Sequence, residues 1–142
     1  MHNIQKLSII NLDELENLYA EQFKDEAWTK EQIKSAFMNN SISYYGIFQN
    51  QVLISFAGIM VTPDDINLLD IATKDGYKNK GYAKEMLKFL IGLKNDEQTF
   101  SLEVKSKNLP AINLYNSFGL KTLNIRKKYY KDGDDALCMF LK

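Results

Sequence analysis

The sequence predicts a mixed α/β domain, and three observations carry that prediction. Two strand-like runs, 43–48 and 52–61, are joined by the tight turn Gln49-Asn50-Gln51. A strand–loop–helix–strand–helix unit follows over residues 66–119. Two more strand-like runs, 120–128 and 136–141, close the chain around Asp132-Gly133. Strands 66–73 and 99–104 are connected through a helix, so the crossover rule makes them parallel. The 142 residues hold no linker, repeat or low-complexity tract, and the expectation is one domain with a buried core.

Each element has its own justification. Residues 4–10 read as a first strand. Asn11, with Glu14 three residues on, opens a helix whose Leu15, Leu18, Tyr19 and Phe23 form an apolar stripe. Thr29 and Gln32 make a capping box for a second helix, with Trp28 and Ile33 in the staple positions. That accounts for Trp28 as packing and leaves a ligand-facing role open. Pro63-Asp64-Asp65 is a turn signal before the strand 66–73. Ala83, Met86, Leu87 and Leu90 lie on one face of a helix running to about Lys94, where Asn95-Asp96-Glu97 breaks it. In the strand 99–104, Phe100, Leu102 and Val104 share one face and Thr99, Ser101 and Glu103 the other. Asn108 caps the next helix, Pro110 sits in its first turn, and Gly119 ends it.

Composition excludes several classes of function. Eighteen basic and eighteen acidic residues cancel, so no global charge argues for nucleic acid. The lysines cluster locally, in 74–94 and 121–131, which suits a small anionic ligand better than a polyanion. One cysteine, Cys138, rules out an internal disulfide and a multi-cysteine zinc site. Cys138 lies in an alternating apolar strand and reads as a buried filler. The single histidine, His2, lies near the terminus, which argues against a histidine-based triad or metal site, so no metal is expected. The N-terminal stretch lacks a secretory core and no apolar run is long enough to span a bilayer, so a soluble, cytoplasmic protein with no membrane partner is expected.

Three features can carry chemistry. The first is Lys78-Asn79-Lys80-Gly81-Tyr82-Ala83, a glycine turn between a strand and a helix. Free N–H groups and the dipole at a helix N-terminus favour an anion, and Lys74, Lys78, Lys80 and Lys84 add positive charge. Gly76 and Gly81 have the spacing of a nucleotide-binding P-loop, but Tyr82-Ala83 stands where Lys-Ser/Thr is required, which excludes nucleotide hydrolysis. The alternative is the pyrophosphate signature Gln/Arg-x-x-Gly-x-Gly/Ala, which Gly81 and Ala83 match and in which Lys78 stands in for Gln/Arg. The second feature is Glu103. With helices over both faces of the sheet it is expected in a partly desolvated place with a raised pKa, suited to a general base facing an amine. A solvated strand-end carboxylate is the plain alternative. The third is Tyr115, whose phenol can protonate a departing thiolate and which also lies at core spacing with Ala111 and Phe118.

Taken together, these positions resemble the GCN5-related N-acetyltransferases, and among them the bacterial ribosomal-protein alanine N-acetyltransferases (the RimI subfamily). The resemblance runs from Leu68 onward, through Leu69-Asp70-Ile71-Ala72, the loop 78–83, Leu102-Glu103-Val104, Asn108, Leu114-Tyr115, Phe118-Gly119, Ile125-Arg126 and Tyr129-Tyr130. Trp28-Thr29 also resembles the family's Trp-Ser, with Ala27 where proline is frequent. It implies a central, mostly antiparallel sheet with one parallel strand pair, flanked by helices. It further implies acetyl-CoA as co-substrate, no metal, and direct transfer in a ternary complex to a protein N-terminal amine. In that subfamily the acceptor is the N-terminal alanine of the eighteenth small-subunit ribosomal protein. By position, Glu103 is the general base and Tyr115 the general acid. The backbone of Ile71, Ala72 and Thr73 holds the pantetheine and acetyl group, and Lys78, Asn79, Lys80, Gly81, Tyr82 and Ala83 the pyrophosphate. Asn108 contacts the cofactor near its thiol, while Trp28, Tyr129 and Tyr130 shape the acceptor groove. A monomer or weak homodimer is expected. The rival expectations are a lysine side chain or small amine as acceptor, and a non-catalytic coenzyme A-binding module.

Overall fold

The computed structural model describes residues 3–142, so His2 lies outside the described residues. The elements run β1 (Ile4–Lys6), α1 (Leu12–Phe23), α2 (Lys30–Phe37), β2 (Ile42–Gln49), β3 (Val52–Val61), β4 (Asp65–Thr73), α3 (Tyr82–Gly92), β5 (Thr99–Lys105), α4 (Leu109–Ser117), β6 (Lys121–Arg126) and β7 (Ala136–Leu141). All seven strands join one sheet in the order β1-β2-β3-β4-β5-β7-β6. Every neighbouring pair is antiparallel except β4–β5, the parallel pair expected from the crossover.

Each face of the sheet has its own apolar layer. Met86, Leu87 and Leu90 of α3 and Tyr115 of α4 pack on Ile66, Leu68, Phe100 and Leu102. On the opposite face Leu15, Leu18 and Tyr19 of α1 and Ile33 and Ala36 of α2 pack on Tyr44, Leu53 and Phe56. The α2 cap forms as expected. The Thr29 N–H donates to Gln32 Oε1 at 2.8 Å and the Gln32 N–H to Thr29 Oγ1 at 3.2 Å.

The beginning of the chain departs from expectation. β1 stops at Lys6, not at residue 10, and a 3-10 turn over Ile9–Asn11 leads into α1. Asn11 is the N-cap of α1 as expected, but the pairing of its side chain with Glu14 does not form, because both side chains have other partners. Asn11 Oδ1 accepts from the Ser8 N–H at 2.9 Å, and the Glu14 carboxylate accepts from the Leu53 N–H of β3 at 2.7 Å. Elsewhere the differences are at element ends: α3 stops at Gly92 and β6 at Arg126.

One irregularity in β4 decides what faces the site. Gly58 of β3 pairs with Asp70 and Ile59 with Leu68, so Leu69 is an extra, unpaired residue. Strand side chains alternate with period two, and one inserted residue inverts the alternation beyond it. Before the bulge, Ile66 and Leu68 belong to the α3/α4 layer. After it, Ile71 keeps to that layer while Ala72 packs in the α1/α2 layer and Asp70 bonds Tyr19 of α1. The partner at the bulge must be small. A Cβ on Gly58 would lie 2.6 Å from Cε1 of Tyr44, a ring only 1% exposed. Gly58→Ala is therefore expected to cost about 1–3 kcal/mol of stability, as overpacking of a buried ring does, read as a lower denaturant midpoint with an unchanged slope.

Candidate active site

The site is made by a ladder that stops. β4 and β5 pair only from Asp65↔Thr99 to Leu68↔Leu102, although β4 continues to Thr73 and β5 to Lys105. Beyond that point β4 is held by β3 alone and β5 by β7 alone, so the two strands part. A cavity of about 490 Å³ opens against the freed half of β4. Ile71, Ala72 and Thr73 line it from β4, and Lys78, Asn79, Gly81, Tyr82 and Ala83 from the loop and the first turn of α3. Asn108 and Tyr115 complete it from α4. Of the residues expected to hold a cofactor, Lys80 alone stays off this lining; its ammonium lies over the Tyr77 ring, 5.8 Å from the centroid.

The loop presents backbone rather than side chains. Gly81 caps α3 in the left-handed region at φ +88, and a Cβ there would meet nothing within 4 Å. An anion can therefore approach the first-turn N–H groups without steric hindrance. Lys78 Nζ is paired with Asp75 at 3.3 Å, on the surface. Asp75 is tied back to α1: its N–H donates to Glu21 Oε1 at 2.9 Å and Gln22 Nε2 donates to its carboxylate at 3.1 Å. Gln22 and Phe23 also line the cavity, a contribution that no local sequence signal marks.

Tyr115 is buried, 6% exposed, in the α3/α4 layer, and burial pushes its phenol up to about 12, with the charge of Asp70 adding to the rise. Asp70 itself was not among the expected site residues. Burial raises its carboxyl to about 6, against a smaller opposing effect of the hydrogen bond from Tyr19. That bond runs from Tyr19 Oη to Oδ2 at 2.8 Å, and the Tyr19 and Tyr44 hydroxyls are 3.1 Å apart. The Tyr19 phenol is driven far up by burial and then by Asp70, and the Tyr44 phenol to about 12 by burial.

Glu103 lies across the split, and its surroundings differ from those expected. The residue is exposed, not partly desolvated. Its Oε2 is ion-paired with Arg126 Nε of β6 at 2.8 Å and accepts the Cys138 thiol at 3.6 Å. Cys138 is buried as expected, 5% exposed, but it also supports Glu103. Tyr129 and Tyr130 touch edge to face, 5.2 Å between centroids, in the loop after β6. Arg126 lies over the Tyr129 ring and Lys105 Nζ over Tyr130, at 5.4 and 5.1 Å. Tyr130 is raised by burial first and by Glu103 second. Lys105 also bridges Glu26 at 3.1 Å and Asp132 at 2.9 Å, joining the segment after α1 to the loop before β7. Trp28 stacks on Tyr19, 6.0 Å between centroids and 4° between planes, and contributes no atom to the cavity lining. Glu103, Tyr129 and Tyr130 therefore stand on one side of the split, and Tyr115 with the loop residues on the other.

Known proteins share this fold. Residues 9–120 match the Acetyltransferase (GNAT) family. The chain belongs to that family. A Bacillus subtilis protein described as a putative ribosomal protein bS18-alanine N-acetyltransferase is 29% identical over 97% of this chain and 93% of its own length. The Escherichia coli ribosomal protein bS18-alanine N-acetyltransferase is 34% identical over 68% of this chain and 69% of its own. The crystal structure of the E. coli enzyme superimposes with a TM-score of 0.90 at 29% identity, covering 99% of this chain and 93% of that one. Arabidopsis thaliana NAA60, solved with acetyl-CoA, has the same fold, TM-score 0.86 at 14% identity over 99% of this chain and 98% of that one. The GNAT assignment makes this chain an acetyltransferase with a mixed, mostly antiparallel sheet.

The buried Asp70 carries a measurable cost. Its carboxyl has a higher pKa folded, about 6, than its ordinary 3.8. The unfolded chain therefore ionises first, and stability falls as pH rises through that interval. Asp70→Asn is expected to raise stability at pH 8 by on the order of 2–3 kcal/mol, with the gain vanishing below about pH 4; denaturant titrations at the two pH values check this.

Proposed function

We propose that this acetyltransferase uses acetyl-CoA to acetylate the N-terminal α-amine of a protein, the N-terminal alanine of ribosomal protein bS18 being its acceptor in the cytoplasm. The observation that carries the reading is the split between β4 and β5, with a phosphate-ready loop at one end and a carboxylate and a phenol on its two sides. The names of the B. subtilis and E. coli relatives support the choice of acceptor.

The residues present fit the co-substrate. The first-turn N–H groups of α3 and the open space at Gly81 receive the pyrophosphate, with Lys78, Asn79, Lys80, Tyr82 and Ala83 around it. Past Leu68 the inner edge of β4 has no ladder partner, so the backbone of Ile71, Ala72 and Thr73 is free to bond the pantetheine and to stabilise the carbonyl oxygen as charge develops on it. Asn108 caps α4, its Oδ1 accepting from the Ala111 N–H at 3.3 Å, and lies on the cavity wall near the thiol end.

An N-terminal amine with pKa near ~8 is largely protonated at neutral pH and must lose a proton before it attacks. Glu103, exposed on the acceptor side, takes that proton and passes it to solvent. The amine then attacks the thioester carbonyl, and Tyr115 protonates the departing thiolate. Trp28, Tyr129 and Tyr130 form the acceptor groove, held in shape by the Lys105 bridges to Glu26 and Asp132.

Two experiments test the reading. With an Ala-starting peptide and its N-blocked, lysine-containing counterpart, acetyl transfer is expected to the free N-terminus alone; transfer only to the blocked peptide excludes the N-terminal acceptor. Glu103→Gln and Tyr115→Phe are each expected to lower kcat about 10²–10⁴-fold, the range for general acid–base groups, with acetyl-CoA still bound by calorimetry.

A further inference from the structure

The acid–base scheme above leaves unused one carboxylate that adjoins the cavity lining, Asp70. Asp70 begins the half of β4 that has parted from β5, and the bulge at Leu69 turns it to the α1 face of the sheet. Glu103 lies on that same face of β5, opposite to Leu102 and Val104. The next residue after Asp70, Ile71, lines the cavity. The charge of Asp70 adds to the rise of the Tyr115 phenol, after burial.

Its bonding pattern leaves one oxygen available. Oδ2 accepts from Tyr19, while Oδ1 accepts no hydrogen bond among the described residues and is not sealed from solvent. The titratable groups beside it are Tyr19 from α1 and Tyr44 from β2, its β3 partner is Gly58, and its charge is felt by Tyr115 of α4 from the opposite layer. Among the described residues no cation pairs with it. If the role were only to receive the Tyr19 hydroxyl, a neutral amide would serve without a buried charge.

We propose that Asp70 is a second proton acceptor of the reaction, taking the proton that leaves the acceptor nitrogen as the C–N bond forms. This rests on the acetyl-transfer reading. An ammonium loses two protons on the way to an amide. The first goes through Glu103 to solvent. The nitrogen lone pair then bonds the thioester carbon, the C–S bond breaks, and its electron pair stays on sulfur. The second nitrogen proton passes to Asp70 Oδ1. Tyr115 gives its own proton to the thiolate and regains one from solvent, to which the Asp70 carboxyl releases the proton it took. Ammonium and thioester become amide, thiol and one released proton.

The test is the pH dependence of kcat with an Ala-starting peptide and acetyl-CoA, for the unaltered protein, Asp70→Asn and Tyr19→Phe. Asp70→Asn is expected to lower kcat by about 10²-fold or more, to leave the KM for acetyl-CoA within about two-fold, and to abolish the acid limb. Tyr19→Phe keeps the carboxylate but removes a donor that favours its charged form, so the acid limb moves to higher pH. A role confined to packing would leave that limb in place. A kcat for Asp70→Asn within about three-fold of the unaltered value, or an unmoved limb in Tyr19→Phe, overturns the proposal. Should Asp70→Asn not fold, the Tyr19→Phe profile decides alone. An unaltered protein that acetylates no amine overturns the acetyl-transfer reading as well, whereas failure confined to the variants removes only the role given to Asp70.

Discussion

The structure depends on where the β4–β5 ladder ends. Four paired positions, Asp65 to Leu68 against Thr99 to Leu102, hold the middle of the sheet together. Each of those strands then keeps one neighbour and loses the other. A continuous parallel pair here would use the β4 backbone in hydrogen bonds to β5 and fill the space between them. Because the ladder stops, the edge of β4 from residue 69 onward has bonding capacity to offer a ligand. Polar pins hold the paired part. Ser101 Oγ and Thr99 Oγ1 donate to the Asp65 carboxylate, both at 2.7 Å, and Asn67 Nδ2 donates to Ser101 Oγ at 3.0 Å.

The bulge at Leu69 and the end of the ladder fall at the same place, and together they set the chemistry of the opening. The bulge inverts the side-chain alternation, so an acidic residue faces the tyrosines of α1 and β2 where an unbroken strand would direct it into the α3/α4 layer. The inverted register also gives Ala72 to the α1/α2 layer, and its carbonyl accepts the hydroxyl of fully buried Ser55 at 3.1 Å. The split half of β4 is thus fixed from β3 and α1, and its geometry does not rely on β5.

Much of this was legible in the sequence, for reasons that can be stated residue by residue. Capping chemistry placed α2 and α4, because Thr29, Gln32 and Asn108 find the partners their spacing predicts. The crossover rule gave the one parallel pair. Asn11 stands at the N-cap of α1 as expected, but its pairing with Glu14 was misread because the two side chains bond Ser8 and Leu53, the second 39 residues away, and such a contact leaves no local trace. The loop 78–83 was readable from its glycine and its position. Asp70 was not, since alternation alone puts it on the wrong face and only a pairing register reveals the extra residue. For the same reason the surroundings of Glu103 were misjudged: Arg126 and Cys138 reach it across β7 and β6, from the other end of the chain.

The two carboxylates on this face differ in a way that fits division of labour. Glu103 is exposed, with a guanidinium and a thiol on one oxygen, so a proton reaching it has a direct path to water. Asp70 is bonded by Tyr19, whose hydroxyl also meets that of Tyr44, with no compensating cation among the described residues. A fold selected for stability alone would place an amide or an apolar residue there, since a buried unpaired charge opposes folding. Retention of such a charge next to the parted strands is the kind of local conflict that sites of function tolerate. The same burial that destabilises the chain brings the carboxyl close to the pH at which amines are acetylated, so the energetic penalty and the chemical usefulness have one physical origin.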